Sequence, residues 1–173
     1  CAYVFMLYNG ETCEPYFLGI ITAVWSLIRH FSVHHRVLMH TPDVPRALVD
    51  LAESSGLFSE VVAIEYIEAS EVFFSNPESH RRFGKIFTKY RVLGLERYDR
   101  VLLLDADIHI RTSLDNLFEQ EPPAAMARGP RKPKAWQKMP SRTPVNAGVM
   151  LLRPDPAFLA EILKDITSKN PRR

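Results

Sequence analysis

Two carboxylates separated by one residue, Asp105 and Asp107, follow four consecutive apolar residues, Val101-Leu102-Leu103-Leu104. Close carboxylates repel and resist ionising together unless a cation shares them. Hard oxygen ligands suit Mg2+ or Mn2+, ions commonly held by one or two carboxylates together with a substrate's phosphates. The spacing therefore points to a divalent-metal site that handles a diphosphate. A run of four apolar residues is too short for a helix and shows no polar alternation. It reads as a strand buried on both faces, the kind found inside a parallel sheet. Ligands of open α/β sheets bind at the carboxyl ends of the strands, and both aspartates stand at such an end. On spacing alone, aspartates that merely open a turn or cap a helix are the alternative.

The elements that must place this pair alternate along the chain. Ala2–Leu7 reads as a first buried strand running into loop chemistry at Tyr8-Asn9-Gly10-Glu11-Thr12. Glu14-Pro15 opens a helix whose core face carries Phe17, Ile20, Ile21, Val24, Leu27 and Ile28. Residues 36–39 form a second strand. Thr41-Pro42-Asp43 starts another helix, with Leu48, Leu51 and Ala52 inward and a stop at Ser55-Gly56. Residues 60–64 make a third strand, and residues 65–85 read as a long irregular segment of the kind that forms lids. A helix over residues 87–97 leads back to the aspartates, and Thr112 or Ser113 caps a short turn through Leu117-Phe118. Ala124–Ala127 and Val145–Leu152 are further strands. Asp155 caps a last helix with Pro156 in its first position and Phe158, Leu159, Ile162, Leu163 and Ile166 on one face. Strands alternating with helices predict an α/β fold, a mostly parallel central sheet flanked by helices, and right-handed crossovers in a single domain, residues 1–173.

Composition narrows the function classes. With 46% hydrophobic and 24% charged residues, the 173-residue chain has the make-up of an ordinary globular protein. Its 22 basic and 20 acidic residues balance closely, which argues against a nucleic-acid partner. No long uncharged apolar run exists, so no transmembrane segment is expected. Two cysteines, Cys1 and Cys13, make no disulfide framework, which favours a reducing, cytoplasmic compartment. Because the chain begins at Cys1 and not at methionine, sequence upstream, and with it a Golgi-lumenal location, stays open.

Four stretches occur in a telling order: Phe87-Thr88-Lys89-Tyr90, then Tyr98-Asp99-Arg100-Val101-Leu102-Leu103-Leu104-Asp105-Ala106-Asp107, then Leu114-Asp115-Asn116-Leu117-Phe118, then Asn146-Ala147-Gly148-Val149. Together they resemble the signatures of glycosyltransferase family 8, the retaining sugar-nucleotide transferases that include glycogenin and bacterial lipopolysaccharide galactosyltransferases. The resemblance implies a GT-A type, Rossmann-like fold. It also implies a metal-dependent enzyme that moves a hexose from a UDP-sugar to an acceptor, with Mn2+ (or Mg2+) under the diphosphate. Asp105 and Asp107 would hold the metal, with Asp105 also near the ribose and donor sugar. Lys89 would reach donor phosphate or sugar oxygens as a point charge; an ordinary solvated lysine is the alternative. Tyr16 matches the aromatic that packs on uracil, against the alternative of packing on its own helix. Leu7, Tyr8 and Asn9 occupy the strand end where the family contacts the uridine. Asn146 matches the asparagine that meets the donor sugar, and Gly148 allows close backbone approach.

The chain also departs from the family. The loop from Tyr8 to Pro15 is a few residues longer than in glycogenin. The downstream His-x-x-Gly-x-x-Lys-Pro-Trp motif that supplies the third metal ligand is absent, as is the Asp-Gln pair tied to donor and catalysis. The expectation is a chain holding the N-terminal and central part of the catalytic domain and lacking its C-terminal part; no catalytic residue is assigned. His109 would share a face with Asp105 and Asp107 on a continued strand, yet the expected role is a packed or hydrogen-bonded side chain, not a ligand. The basic stretch 128–142, with Arg128, Arg131, Lys132, Lys134, Lys138 and Arg142 around Trp136, would favour an acidic or phosphate-bearing acceptor if it overhangs the acceptor side. Two other functions stay open: a nucleotide-sugar-binding fragment without turnover, and a haloacid-dehalogenase-like phosphatase. The phosphatase pattern wants Thr or Val where this chain has His109, and a later acidic pair that it lacks.

Overall fold

The computed structural model describes residues 1–74, 76–127 and 145–168, apart from the side chain of Arg82. Six strands form one sheet: β1 (Ala2–Leu7), β2 (His35–His40), β3 (Glu60–Ala63), β4 (Val101–Leu104), β5 (Ala124–Ala127) and β6 (Val145–Leu152). Their order is β3-β2-β1-β4-β6-β5. The pairs β1–β2, β1–β4 and β2–β3 are parallel. The pairs β4–β6 and β5–β6 are antiparallel. Every residue of β1 and of β4 is buried, as expected of central strands covered on both faces.

Side chains alternate across the sheet, and each face has its own cover. Tyr3, Phe5, Leu7, Leu102 and Leu104 pack with Phe17, Ile20, Val24 and Leu27 of α1 (Glu14–Arg29), and with Val49 and Ala52 of α2 (Arg46–Ser54). On the other face Val4, Met6, Val101 and Leu103 pack with Val92 and Leu93 of a 3-10 turn (Ile86–Gly94), and with Leu159 and Ile166 of a later helix (Pro156–Thr167). Asp155 caps that helix as the sequence predicts, its Oδ1 accepting from the Phe158 amide at 2.9 Å.

Several expectations are corrected. Strand β2 is longer than residues 36–39, and β3 ends at Ala63. The second helix begins at Arg46, because Pro45 holds an extended ψ of 130° at its N-cap. Thr41 and Asp43 are tied to each other instead, the Thr41 hydroxyl donating to Asp43 Oδ1 at 2.5 Å. Leu51 is 53% exposed and Phe158 52%, so neither belongs to the core. Residues 65–85 are not irregular throughout. They contain a 3-10 turn, Glu71–Phe73, and helix α3 (Pro77–Phe83), which Asn76 caps by accepting from the Ser79 amide at 2.8 Å. The Pro156–Thr167 helix is therefore α4. The helix expected over residues 87–97 is the 3-10 turn Ile86–Gly94, ending where Gly94 weakens it.

Candidate functional site

The carboxyl ends of β1 and β4 open into a cleft of about 510 Å3. One lining segment comes from the end of β1 and the start of α1: Leu7, Tyr8, Asn9, Thr12 and Tyr16. A second comes from the end of α3 and the 3-10 turn: Phe83, Ile86, Phe87, Lys89 and Tyr90. Asp105, Ala106, Asp107 and Ala147 line it as well, above Met6, Leu103 and Leu104 of the strands.

The antiparallel course of β6 explains why a residue after strand β5 reaches this place. Leu104 pairs with Val149, so the start of β6 runs beside the end of β4. The Asp105 amide then donates to Gly148 O at 2.9 Å. A Cβ on Gly148 would lie 3.3 Å from Asp105 Oδ2, so the missing side chain leaves room for that carboxylate. The Gly148 amide donates to Asn146 Oδ1 at 2.8 Å, which commits the Asn146 amide oxygen to its own strand.

Lys89 bridges the lining segments. Its Nζ donates to Asp105 Oδ1 at 2.9 Å and to Ala147 O at 3.4 Å, with the lysine side chain only 19% exposed. That makes it a tethered cation and not the solvated lysine of the alternative reading. The tether is aimed by its neighbour: buried Thr88 accepts from the Ile67 amide at 3.1 Å and donates to Ile67 O at 3.4 Å. Asp107 is exposed in the cleft and has no hydrogen bond or ion pair among the described residues. One carboxylate is therefore partnered and the other open. Tyr8 is held neutral: burial raises its hydroxyl pKa, and the charge of Asp105, followed by Tyr16 and Tyr66, raises it further. Tyr16 is 53% exposed, with its ring at the cleft and not in the core beneath α1.

Asp105 and Asp107 offer hard oxygens at one edge of the cleft, the donor set that Mg2+ or Mn2+ prefers. Among the described residues no group of three His, Cys, Asp or Glu side chains could hold a metal by itself. The pair thus fits a cation that takes its remaining ligands from a diphosphate and water. His109 is exposed and makes no hydrogen bond among the described residues, so the expected packed or bonded role is corrected. Cys1 and Cys13 are free, the second buried, in accord with the absence of a disulfide framework. The basic stretch 128–142 lies outside the described residues.

Two contributors escaped the sequence reading. A Cβ on Gly19 in α1 would lie 2.3 Å from Ala106 O, so only glycine lets the helix back onto the Asp105-Ala106-Asp107 turn. The available signal was a glycine inside a strongly amphipathic helix, which costs about 1 kcal/mol against alanine and needs a packing reason. The other is the Asp43–Tyr66 pair, neither of which lines the cleft. Tyr66 donates to both Asp43 oxygens at 2.9 and 3.1 Å, and the Gly10 amide donates to Asp43 Oδ2 at 3.1 Å.

A sheet of this order with a carboxylate pair at the carboxyl end of a central strand defines a GT-A type glycosyltransferase fold. The fold is also that of the galactosyltransferase LgtC, in a crystal structure with donor and acceptor sugar analogues. The match covers 97% of this chain and 66% of LgtC, with a TM-score of 0.55 and 20% identity. Residues 9–159 match the family described as Glycosyl transferase family 8, and the chain belongs to that family. An uncharacterised protein of Acanthamoeba polyphaga mimivirus is 30% identical over 178 residues, covering 98% of this chain and 60% of that protein. Glycogenin-1 of Homo sapiens is 24% identical over 110 residues, 64% of this chain and 31% of glycogenin-1. The chain thus spans less than two thirds of the length of these curated relatives. No helix among the described residues is long and apolar enough to cross a membrane.

Proposed function

We propose that this chain carries the donor-binding site of a retaining glycosyltransferase, which moves a hexose from a UDP-sugar to an acceptor hydroxyl. The observation that carries the reading is the asymmetric carboxylate pair in the cleft: Asp105 clamped by Lys89, and Asp107 open beside it. Residues 1–173 act as one GT-A unit in this reading. The UDP uracil packs on Tyr16, and the uridine lies along Leu7, Tyr8 and Asn9. The diphosphate faces Asp105, Asp107 and Lys89, and the donor sugar lies toward Asn146 and Gly148. A divalent cation held by Asp105, Asp107 and the diphosphate would supply a Lewis acid. In the transfer, the bond between the anomeric carbon and the UDP oxygen breaks, and its electron pair leaves with UDP. The anomeric carbon bonds to an acceptor oxygen on the face that UDP leaves, and the proton of that oxygen passes to the departing diphosphate. In this reading Lys89 screens the charge that collects on the leaving UDP, a role supported by its place beside Asp105.

Calorimetry of UDP with and without Mn2+ tests this reading. Two carboxylates alone make a weak Mn2+ site, and UDP adds oxygens and charge, so each should tighten the other's binding reciprocally. An affinity for UDP that ignores Mn2+ would remove the metal role from Asp105 and Asp107. Absence of any UDP binding would remove the donor site altogether.

A further inference from the structure

The two lining segments of the cleft, one ending at Tyr16 and the other beginning at Phe83, lie far apart in the chain. One side chain outside the cleft joins them. Tyr66, half-buried just after β3, accepts from the Asn9 amide at 3.0 Å on the β1 side. Its ring carries Lys85 Nζ at 4.3 Å from the centroid, one residue before the 3-10 turn that supplies Ile86, Phe87 and Lys89. Arg91, in the same turn, donates to Glu65 O at 2.9 Å and Tyr66 O at 3.4 Å. The tyrosine is itself anchored by Asp43, which collects Tyr66, Thr41 and the Gly10 amide.

The strength of this anchor follows from its surroundings. Burial of Asp43 would raise its pKa, but bonds from Thr41, the Gly10 amide and Tyr66 outweigh burial and leave it lowered. The carboxylate is therefore charged at neutral pH, and hydrogen bonds to a charged acceptor are the strong kind. The loop it holds needs holding. Asn9 has φ 65°, in the left-handed region that non-glycine residues seldom adopt. A Cβ on Gly10 would lie 1.7 Å from Asp43 O, so the two backbones meet with nothing between them.

We propose that Tyr66, anchored by Asp43, is a positioning residue for the nucleoside: it sets the separation of the two cleft segments and holds Tyr8 and Asn9 in place. The inference rests on the donor-site reading above and adds to it a residue that touches no ligand. Its hydroxyl acts on the part of the cleft lined by Tyr8, Asn9 and Tyr16, whereas the segment that carries Lys89 is held through its ring and its carbonyl, which removal of the hydroxyl leaves in place.

The test compares two probes on the full chain in Mn2+: UDP, which needs both parts of the cleft, and inorganic pyrophosphate, which needs only the charged part. Tyr66→Phe keeps the ring under Lys85 and removes the hydroxyl. It should weaken UDP binding by about five- to tenfold, the worth of one to two lost hydrogen bonds, and leave pyrophosphate affinity unchanged. Asp43→Asn should act in the same direction and more strongly. Should Asp43→Asn fail to fold, Tyr66→Phe alone decides. Equal UDP affinity in Tyr66→Phe and the wild type overturns the positioning role, as does a parallel loss for both probes. A wild-type chain that does not bind UDP overturns the donor-site reading itself, and is thereby distinguished from either of those results.

Discussion

Two aspartates at opposite ends of the sheet, Asp115 and Asp107, are treated in opposite ways. At the amino end of the strands, Asp115 is fully engaged. It accepts from the Tyr3 hydroxyl at 2.5 Å, from the Ser32 hydroxyl at 2.7 Å and from the Val33 amide at 3.3 Å. Tyr3 is fully buried, and burial followed by its bond to Asp115 raises its hydroxyl pKa well above the ordinary value. Phe118 packs edge-on against His34 and Tyr3, at 4.4 and 5.1 Å between centroids. The Arg100 guanidinium donates to Phe118 O and, at 2.9 Å, to Gln120 O. At the carboxyl end, Asp105 has one cation and Asp107 has no partner among the described residues. Polar groups that satisfy one another stabilise a fold, whereas groups left open in a cleft are available to a ligand. The Leu-Asp-Asn-Leu-Phe stretch, which resembles a family signature as much as the Asp-x-Asp stretch does, is by this measure a brace.

Four changes would sharpen or break that contrast. Asp107→Asn should have the largest effect: UDP affinity measured in Mn2+ falls by about 5- to 150-fold, the usual range of a coupling free energy. Its unfolding free energy should stay within about 0.5 kcal/mol of the wild type, as for an unpartnered surface group. Urea titration showing substantial destabilisation would place Asp107 with Asp115. The converse change, Asp115→Ala, should cost about 2 kcal/mol of stability by leaving the buried Tyr3 hydroxyl without its acceptor, while UDP affinity of the folded protein stays unchanged.

Gly19→Ala probes the connection between α1 and the open end. Its methyl meets Ala106 O, so the helix or the Asp105-Ala106-Asp107 turn must shift, at about 1.5 kcal/mol. The Mn2+–UDP coupling should weaken with it, as calorimetry would show; an unchanged coupling would mean that the turn's position is indifferent to α1. Acid gives the smallest effect. Burial would raise the Asp115 pKa, but bonds from Tyr3, Ser32 and Val33 and the nearby His34 bring it below the ordinary 3.8. A depressed pKa contributes stability that is present above 3.8 and lost as pH falls below it toward the folded value. Asp43 is shifted the same way, so the measurement is the difference between wild type and Asp115→Asn. That difference should shrink as pH falls below 3.8. A constant difference would mean that the Asp115 charge does not brace the fold.

Much of the architecture was legible because it depends on local chemistry. The apolar runs Ala2–Leu7, Val101–Leu104 and Val145–Leu152 are strands with the expected bounds, and Asp155-Pro156 starts its helix where capping requires. The carboxylate pair, too, could be placed at a strand end from the four residues before it. Other features depended on partners far along the chain. Asn76-Pro77 was a capping signal inside a stretch read as a loop, and Pro45 outcompeted Thr41 as the start of α2.

The sequence by itself determined the strands, the α/β alternation and the position of Asp105 and Asp107 after β4, since each is set by residues a few places apart. Only the tertiary structure decided what surrounds the pair. Strand β6 runs antiparallel to β4, and that reversal brings Gly148 to Asp105. Gly19 meets Ala106 because α1 crosses the sheet at that height. Lys89 and Asp105 are 16 residues apart, Asn9 and Tyr66 57, Tyr3 and Asp115 112. Contacts at such separations follow from how packed elements cross, and no local propensity encodes them.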